Sequence, residues 1–209
     1  MVAAPAAPSH TPKEALEALI AGNARFVAGA SNHANHVSRR DALAAGQSPY
    51  AMILSCSDSR VPPEVVFDQT LGDLFVVRVA GNFADEDGIG SFQYAVAHFS
   101  PAILLVLGHS SCGAIHATVD NLLAGEPPVP GDISSVVKAL MPAAKSVQSM
   151  KQPQGVKIDL YGATTAQNVR SNVAKLKNTH AIIGEAVTAG KLLVAGGIYD
   201  LKTGRVNVL

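Results

Sequence analysis

Three short apolar runs constrain the fold most: Tyr50-Ala-Met-Ile-Leu-Ser55, Leu74 to Ala80, and Ala102 to Leu107. Each has the length of a strand and is apolar rather than alternating, the pattern of strands covered on both faces. Between the second and third runs, Gly88 to Phe99 puts Phe92, Val96 and Phe99 on one helical face. Strands that alternate with helical stretches predict an α/β architecture, a mainly parallel sheet flanked by helices. Farther on, Ile133 to Val147 and Thr164 to Lys177 read as helices, and Gly125 to Gly131 as a Pro/Gly loop. Leu192 to Leu209 reads as a strand, a turn at Lys202-Thr203-Gly204 and a returning strand, which is a hairpin signal.

Upstream of the first run, Thr11-Pro12-Lys13-Glu14 opens a helix. Thr11 is the cap, Pro12 sits in the first turn, and Glu14 is placed to reach back to the cap. Leu16, Leu19, Ile20 and Phe26 then recur at helical spacing. Asn32 to Asn35 reads as loop. His33 and His36 there read as solvated, since no strand end or cysteine lies near them. Residues 1–10, rich in Ala and Pro, read as a flexible tail, and 11–209 as one domain, the size a single core supports.

Sixteen basic residues balance sixteen acidic ones, so no basic footprint for nucleic acid or for an anionic membrane surface is expected. No apolar run approaches the ~20 residues of a membrane span. The start lacks the basic and apolar regions of an intact signal peptide. An exported mature form and a cytoplasmic protein both remain open.

The two cysteines, Cys56 and Cys112, do not make a disulfide scaffold, and they are not in the C-x-x-C spacing of redox pairs. Their placement points elsewhere. In open parallel sheets, sites form beyond the carboxyl ends of strands. Cys56 follows the first run directly, and His109, with Cys112 three residues on, follows the third. Two thiols and an imidazole are legitimate zinc ligands, and three protein ligands leave the fourth tetrahedral position for water or substrate. Asp58 and Arg60 lie just after Cys56. Paired with Arg60, Asp58 stays ionised and can accept a hydrogen bond from a water on the metal.

Cys-Ser-Asp-Ser-Arg at 56–60, followed about fifty residues later by Gly-His-Ser-Ser-Cys-Gly at 108–113, resembles the signature of the β-carbonic anhydrases. The resemblance runs from the Thr11 helix to the Tyr199-Asp-Leu-Lys-Thr-Gly204 turn. It implies the β-carbonic anhydrase fold with an extending N-terminal helix. It also implies one Zn2+ per chain on Cys56, His109 and Cys112, with Asp58 as a mobile carboxylate that Arg60 holds off the metal. In the family's closed form that carboxylate enters the metal shell.

Further positions bear on the branch within the family. Gln47, nine residues before Cys56, matches the plant-like branch's substrate hydrogen-bond donor, and Phe75 and Tyr94 match its pocket aromatics. Gly113 matches the glycine that keeps the backbone close to the metal. Taken singly, Gln47 also reads as a turn residue, and Phe75 and Tyr94 as core. Ala80 departs from the valine usual in plant enzymes, which widens the pocket. The other branch carries an inhibitory bicarbonate site that needs a tryptophan where this chain has Ile53, and the chain contains no tryptophan. Arg78 stands as a counterpart to that branch's arginine.

The activity so implied is the reversible hydration of CO2 to bicarbonate and a proton, with zinc-held hydroxide as the nucleophile. The implied assembly is a two-fold homodimer or a dimer of dimers, with partners completing each other's pockets and the N-terminal helix as an arm across the partner. His98, one turn after Tyr94, reads either as a buried structural histidine or as a proton shuttle. Two rival readings remain on the same scaffold: a hydrolase for carbonyl sulfide or carbon disulfide, and a zinc-binding module without turnover.

Overall fold

Local chemistry starts the chain as expected. In the structure, a computed structural model that describes residues 10–32, 36–150, 158–178 and 181–209, helix α1 covers Pro12–Val27. Thr11 Oγ1 accepts from the Glu14 amide, and the Glu14 carboxylate accepts from the Thr11 amide at 2.7 Å, a closed capping box. Of the tail, only His10 is described, with its ring 4.6 Å from that of Tyr50. His33 lies outside the described residues.

The apolar runs become β1 (Ala51–Ser55), β2 (Leu74–Arg78) and β3 (Ile103–His109), and the closing segment becomes β4 (Leu193–Tyr199) and β5 (Val206–Val208). They form one sheet in the order β2-β1-β3-β4-β5. The first four are parallel, and β5 runs antiparallel to β4 as the hairpin signal predicts. β1 and β3 sit centrally and are buried at every residue, whereas the edge strand β2 is only half-buried. β3 runs two residues past its apolar run, so His109 is the last strand residue and not the first loop residue.

Helices α2 (His36–Leu43), α3 (Pro63–Val66), α4 (Glu86–Phe99), α5 (Gly113–Leu123), α6 (Ile133–Gln148), α7 (Leu160–Asn178) and α8 (Ala181–Thr188) complete the chain. Alternation along the strands sorts the core into two layers. Ala51, Ile53, Ile103, Leu105 and Leu107 face α1 and α3, where Leu19 and Phe67 are fully buried. Met52, Leu54, Leu104 and Val106 face Phe92 of α4, Val169 and Leu176 of α7, and Ile183 of α8. Burying side chains of this size contributes about 1.5–3 kcal/mol each.

α1 docks on its own chain. A Cβ at Gly22 would lie 1.8 Å from the Phe67 carbonyl oxygen, so only glycine permits this approach. Next to it, buried Asn23 donates to the carbonyls of Val66 and Gly204 and accepts from the Val206 amide, tying α1 to α3 and to the hairpin. The face carrying Ala15, Leu19, Gly22 and Asn23 is therefore used within the chain, and any arm across a partner must use the opposite face. Among the described residues no helix is long and apolar enough to cross a membrane.

Candidate metal centre

Beyond the carboxyl ends of β1 and β3 lies a third buried cluster, formed by Cys56 and Cys112 with Ile115, Val119, Leu140 and Ala144. The strand order makes it. β1 and β3 are paired neighbours, so the exit of one delivers Cys56 beside His109 at the exit of the other. α5 begins at once, with Cys112 at its N-cap. The two Sγ atoms and the imidazole nitrogen lie within 4.8 Å of one another, and all three residues are buried.

The histidine is oriented as a ligand. His109 is 0% exposed, and its Nδ1 lies 2.9 Å from the Ser110 carbonyl oxygen. A carbonyl can only accept, so Nδ1 carries the proton and Nε2 presents a lone pair. Among the described residues that buried Nε2 has no partner at hydrogen-bond geometry. An orphan buried acceptor grouped with two thiols is costly unless a cation uses it. The donor set, two sulfurs and one imidazole, is that of a zinc site with three protein ligands.

The two thiols are pushed in opposite directions by their contact. A hydrogen bond from the Cys112 thiol pulls Cys56 well below the ordinary thiol range and pushes Cys112 above it. Cys56 Sγ also accepts from the Gly81 amide at 3.3 Å. Gly81 has φ +84°, and a Cβ there would lie 2.7 Å from Leu140 Cδ1, so the turn after β2 that supplies this amide depends on glycine.

Asp58 and Arg60 pair as expected. The Asp58 carboxylate accepts from the Arg60 amide at 2.9 Å, from Nε at 2.9 Å and from a terminal guanidinium nitrogen at 2.7 Å. The hydrogen bonds from the Arg60 side chain hold its carboxyl well below the usual carboxylate range. Its Oδ2 is 3.9 Å from His109 Nε2, at the mouth of the cluster. Arg78, at the end of β2, is engaged with backbone: its Nε donates to the Cys56 carbonyl at 2.9 Å and a terminal nitrogen to the Asp58 carbonyl at 2.6 Å.

Gly113 and Ala80 also lie close by in sequence and fold. Gly113 is the exposed first residue of α5, and a Cβ there would meet nothing within 4 Å. Ala80, half-buried, precedes Gly81 in the turn after β2. Gln47, Phe75 and Tyr94 are not brought to the cluster by their own chain. Gln47 is exposed and precedes β1, whereas Cys56 follows it, and a five-residue strand is about 17 Å long. Phe75 pairs with Met52, four residues short of Cys56. Tyr94, 53% exposed, stands with Phe75 and Phe99 at the β2 edge. His98 is exposed, with its ring 4.3 Å from that of Tyr94, so the buried structural reading of it is corrected. Sequence reasoning did not identify Gly81 as a donor to the thiolate. Its only signal is a glycine shortly after a strand.

Comparisons with known proteins agree with this geometry. The family model described as "Carbonic anhydrase" matches residues 51–206. The chain is 39% identical over 202 residues to a carbonic anhydrase of Mycolicibacterium smegmatis, covering 96% of this chain and 95% of that protein. It is also 39% identical to carbonic anhydrase 2 of Mycobacterium tuberculosis, covering 95% and 93%. The fold matches a Coccomyxa β-carbonic anhydrase solved with acetazolamide, with a TM-score of 0.71 and 26% identity over 93% of this chain and 86% of that one. The chain is an enzyme and belongs to the β-carbonic anhydrase family.

Proposed function

We propose that the chain hydrates CO2 reversibly to bicarbonate and a proton at one zinc ion held by Cys56 Sγ, His109 Nε2 and Cys112 Sγ. The observation that supports this reading is the orphan Nε2 of buried His109, grouped with two thiols within 4.8 Å and 3.9 Å from a carboxylate that stays ionised. Zinc in such a site lowers the pKa of a bound water from about 15.7 toward ~7 and so supplies a nucleophile at neutral pH.

The chain's own residues supply orientation. Asp58, acceptor-only while ionised, takes a hydrogen bond from the attacking oxygen and fixes its direction. Arg60 keeps that carboxylate charged and engages both of its oxygens in hydrogen bonds. Gly113 leaves room beside Cys112, and Ala80 leaves a slightly wider wall. The remaining pocket groups come from a second copy. In a two-fold dimer joined near the β2 edge, the partner's Phe75 and Tyr94 form the apolar wall for CO2. The partner's Gln47 donates to the oxygen on which charge develops. What supports the exchange is their separation from Cys56 within one chain. Ile53 in place of a tryptophan supports the plant-like branch.

Zinc analysis and parallel assays of CO2 hydration and carbonyl sulfide hydrolysis on one preparation test the proposal. One zinc per chain and CO2 as the better substrate are expected. Zinc-free activity, or a preference for the sulfur analogue, overturns it.

A further inference from the structure

The turn that delivers an amide to Cys56 is itself held by a helix distant in sequence. Gly81, whose N–H donates to Cys56 Sγ, has its carbonyl oxygen taken by Asn168 Nδ2 at 2.9 Å. Asn168 lies on α7 and is 3% exposed. It is locked in turn, because Asn172 Nδ2 donates to its Oδ1 at 2.9 Å, while Asn172 Oδ1 accepts from the Ala84 amide at 2.7 Å. Lys175 Nζ donates to the Ala84 carbonyl at 2.6 Å. Residues 168, 172 and 175 recur on one face of α7, and that face grips the turn at Gly81 and Ala84.

Satisfying buried backbone explains part of this network. It does not explain the choice of Gly81, the one residue of the turn whose amide points at the sulfur. Gly81 stands at positive φ with no side chain to fix its backbone, so with its carbonyl released the amide loses a contact that aims it. An N–H donor draws negative charge from a thiolate. With two thiolates facing one divalent cation, such a donor decides how positive the site remains.

We propose that Asn168 is a positioning residue for the metal-ligating thiolate: by holding the Gly81 carbonyl it keeps the Gly81 amide on Cys56 Sγ and so sets the charge which that sulfur brings to the cation. This rests on the zinc reading above. The test uses the full chain loaded with zinc or cobalt(II), comparing wild type with Asn168→Leu, of similar volume but without a donor, and Asn168→Asp, of the same size but unable to donate. Val173→Ala on the same helix is the control, since Val173 packs near Gly196 and not on the turn. The readouts are hydrogen exchange of the Gly81 amide, the sulfur-to-cobalt charge-transfer band, and the melting temperature. Both Asn168 variants are expected to speed Gly81 exchange about tenfold or more, the loss of one hydrogen bond, and to move the charge-transfer band to lower energy. Val173→Ala is expected to lower the melting temperature without either change. Exchange and band position in the Asn168 variants equal to those of Val173→Ala overturn the proposal and leave the zinc reading standing. A wild-type chain without a thiolate charge-transfer band overturns both.

Discussion

Separation of Gln47 from Cys56 along β1 makes subunit mixing a decisive experiment. If Gln47 acts in the partner's site, a chain lacking the donor and a chain lacking the metal repair each other. Gln47→Ala alone should keep zinc and retain about 1% of kcat/KM, the effect of losing one transition-state donor. Cys56→Ser alone should be inactive. Co-expressed in equal amounts, the two pair at random, so about half of the dimers carry one of each. In such a dimer the Gln47→Ala chain contributes its intact ligands and its partner contributes Gln47, which completes one site in two. The mixture should then show about a quarter of wild-type activity, against roughly 0.5% if each chain uses its own glutamine. A stopped-flow CO2 hydration assay on the unfractionated co-expressed protein, with dimers verified by sedimentation, reads the difference. Activity near the 0.5% figure would refute the trans arrangement, as would a fully active monomer.

Other outcomes follow from the same coordinates. Asp58→Asn keeps the size of the side chain but loses an acceptor, and should lower kcat about 10²-fold with zinc content unchanged. Because the folded pKa of Asp58 lies below its ordinary value, its pairing with Arg60 is complete above about pH 4 and is lost only as pH falls through the lowered value. The pH profile of kcat should therefore show no carboxylate inflection near neutrality. Two thiolates leave the zinc less positive than three imidazoles do, so hydration should instead climb smoothly from the ~7 of a three-histidine site into the alkaline range. Cooperative inhibition by bicarbonate, seen in the same titration, would overturn the plant-like assignment. Asn23→Ala removes three hydrogen bonds and leaves the Val206 amide buried. It should cost about 2–4 kcal/mol in urea unfolding without changing the initial rate.

What was legible in the sequence was mostly local or periodic. The Thr11 capping box is written in four consecutive residues, and the buried strands are uninterrupted apolar runs. The meeting of Cys56, His109 and Cys112 was legible because parallel topology turns strand ends into neighbours. Other elements carried no such mark. α5 starts on a glycine, and its N-cap, Cys112, makes no capping hydrogen bond, because that side chain is turned into the ligand cluster. α3 is a single turn set by Pro62 and Pro63. Gly81 and Asn168 meet across 87 positions of sequence, a contact that only the packing of α7 on the turn creates. Arg78 gives two of its N–H donors to the carbonyls of Cys56 and Asp58, a fact of side-chain direction that spacing does not encode.

The ligands come from the exits of two strands that are neighbours in the sheet but distant in the chain. A zinc ion bound there is therefore also a staple between Cys56 and Cys112, closing a loop that contains all of β2 and α4. An unfolded chain has no preformed site, so occupancy enters the folding equilibrium, adding about 4 kcal/mol when free zinc stands a thousandfold above its dissociation constant. If zinc fills this site as proposed, a chain made under zinc starvation would be idle and also more often unfolded, and unfolded chains are what proteases remove. On that reading, zinc supply would set how many copies of the enzyme persist, as well as how many can turn over.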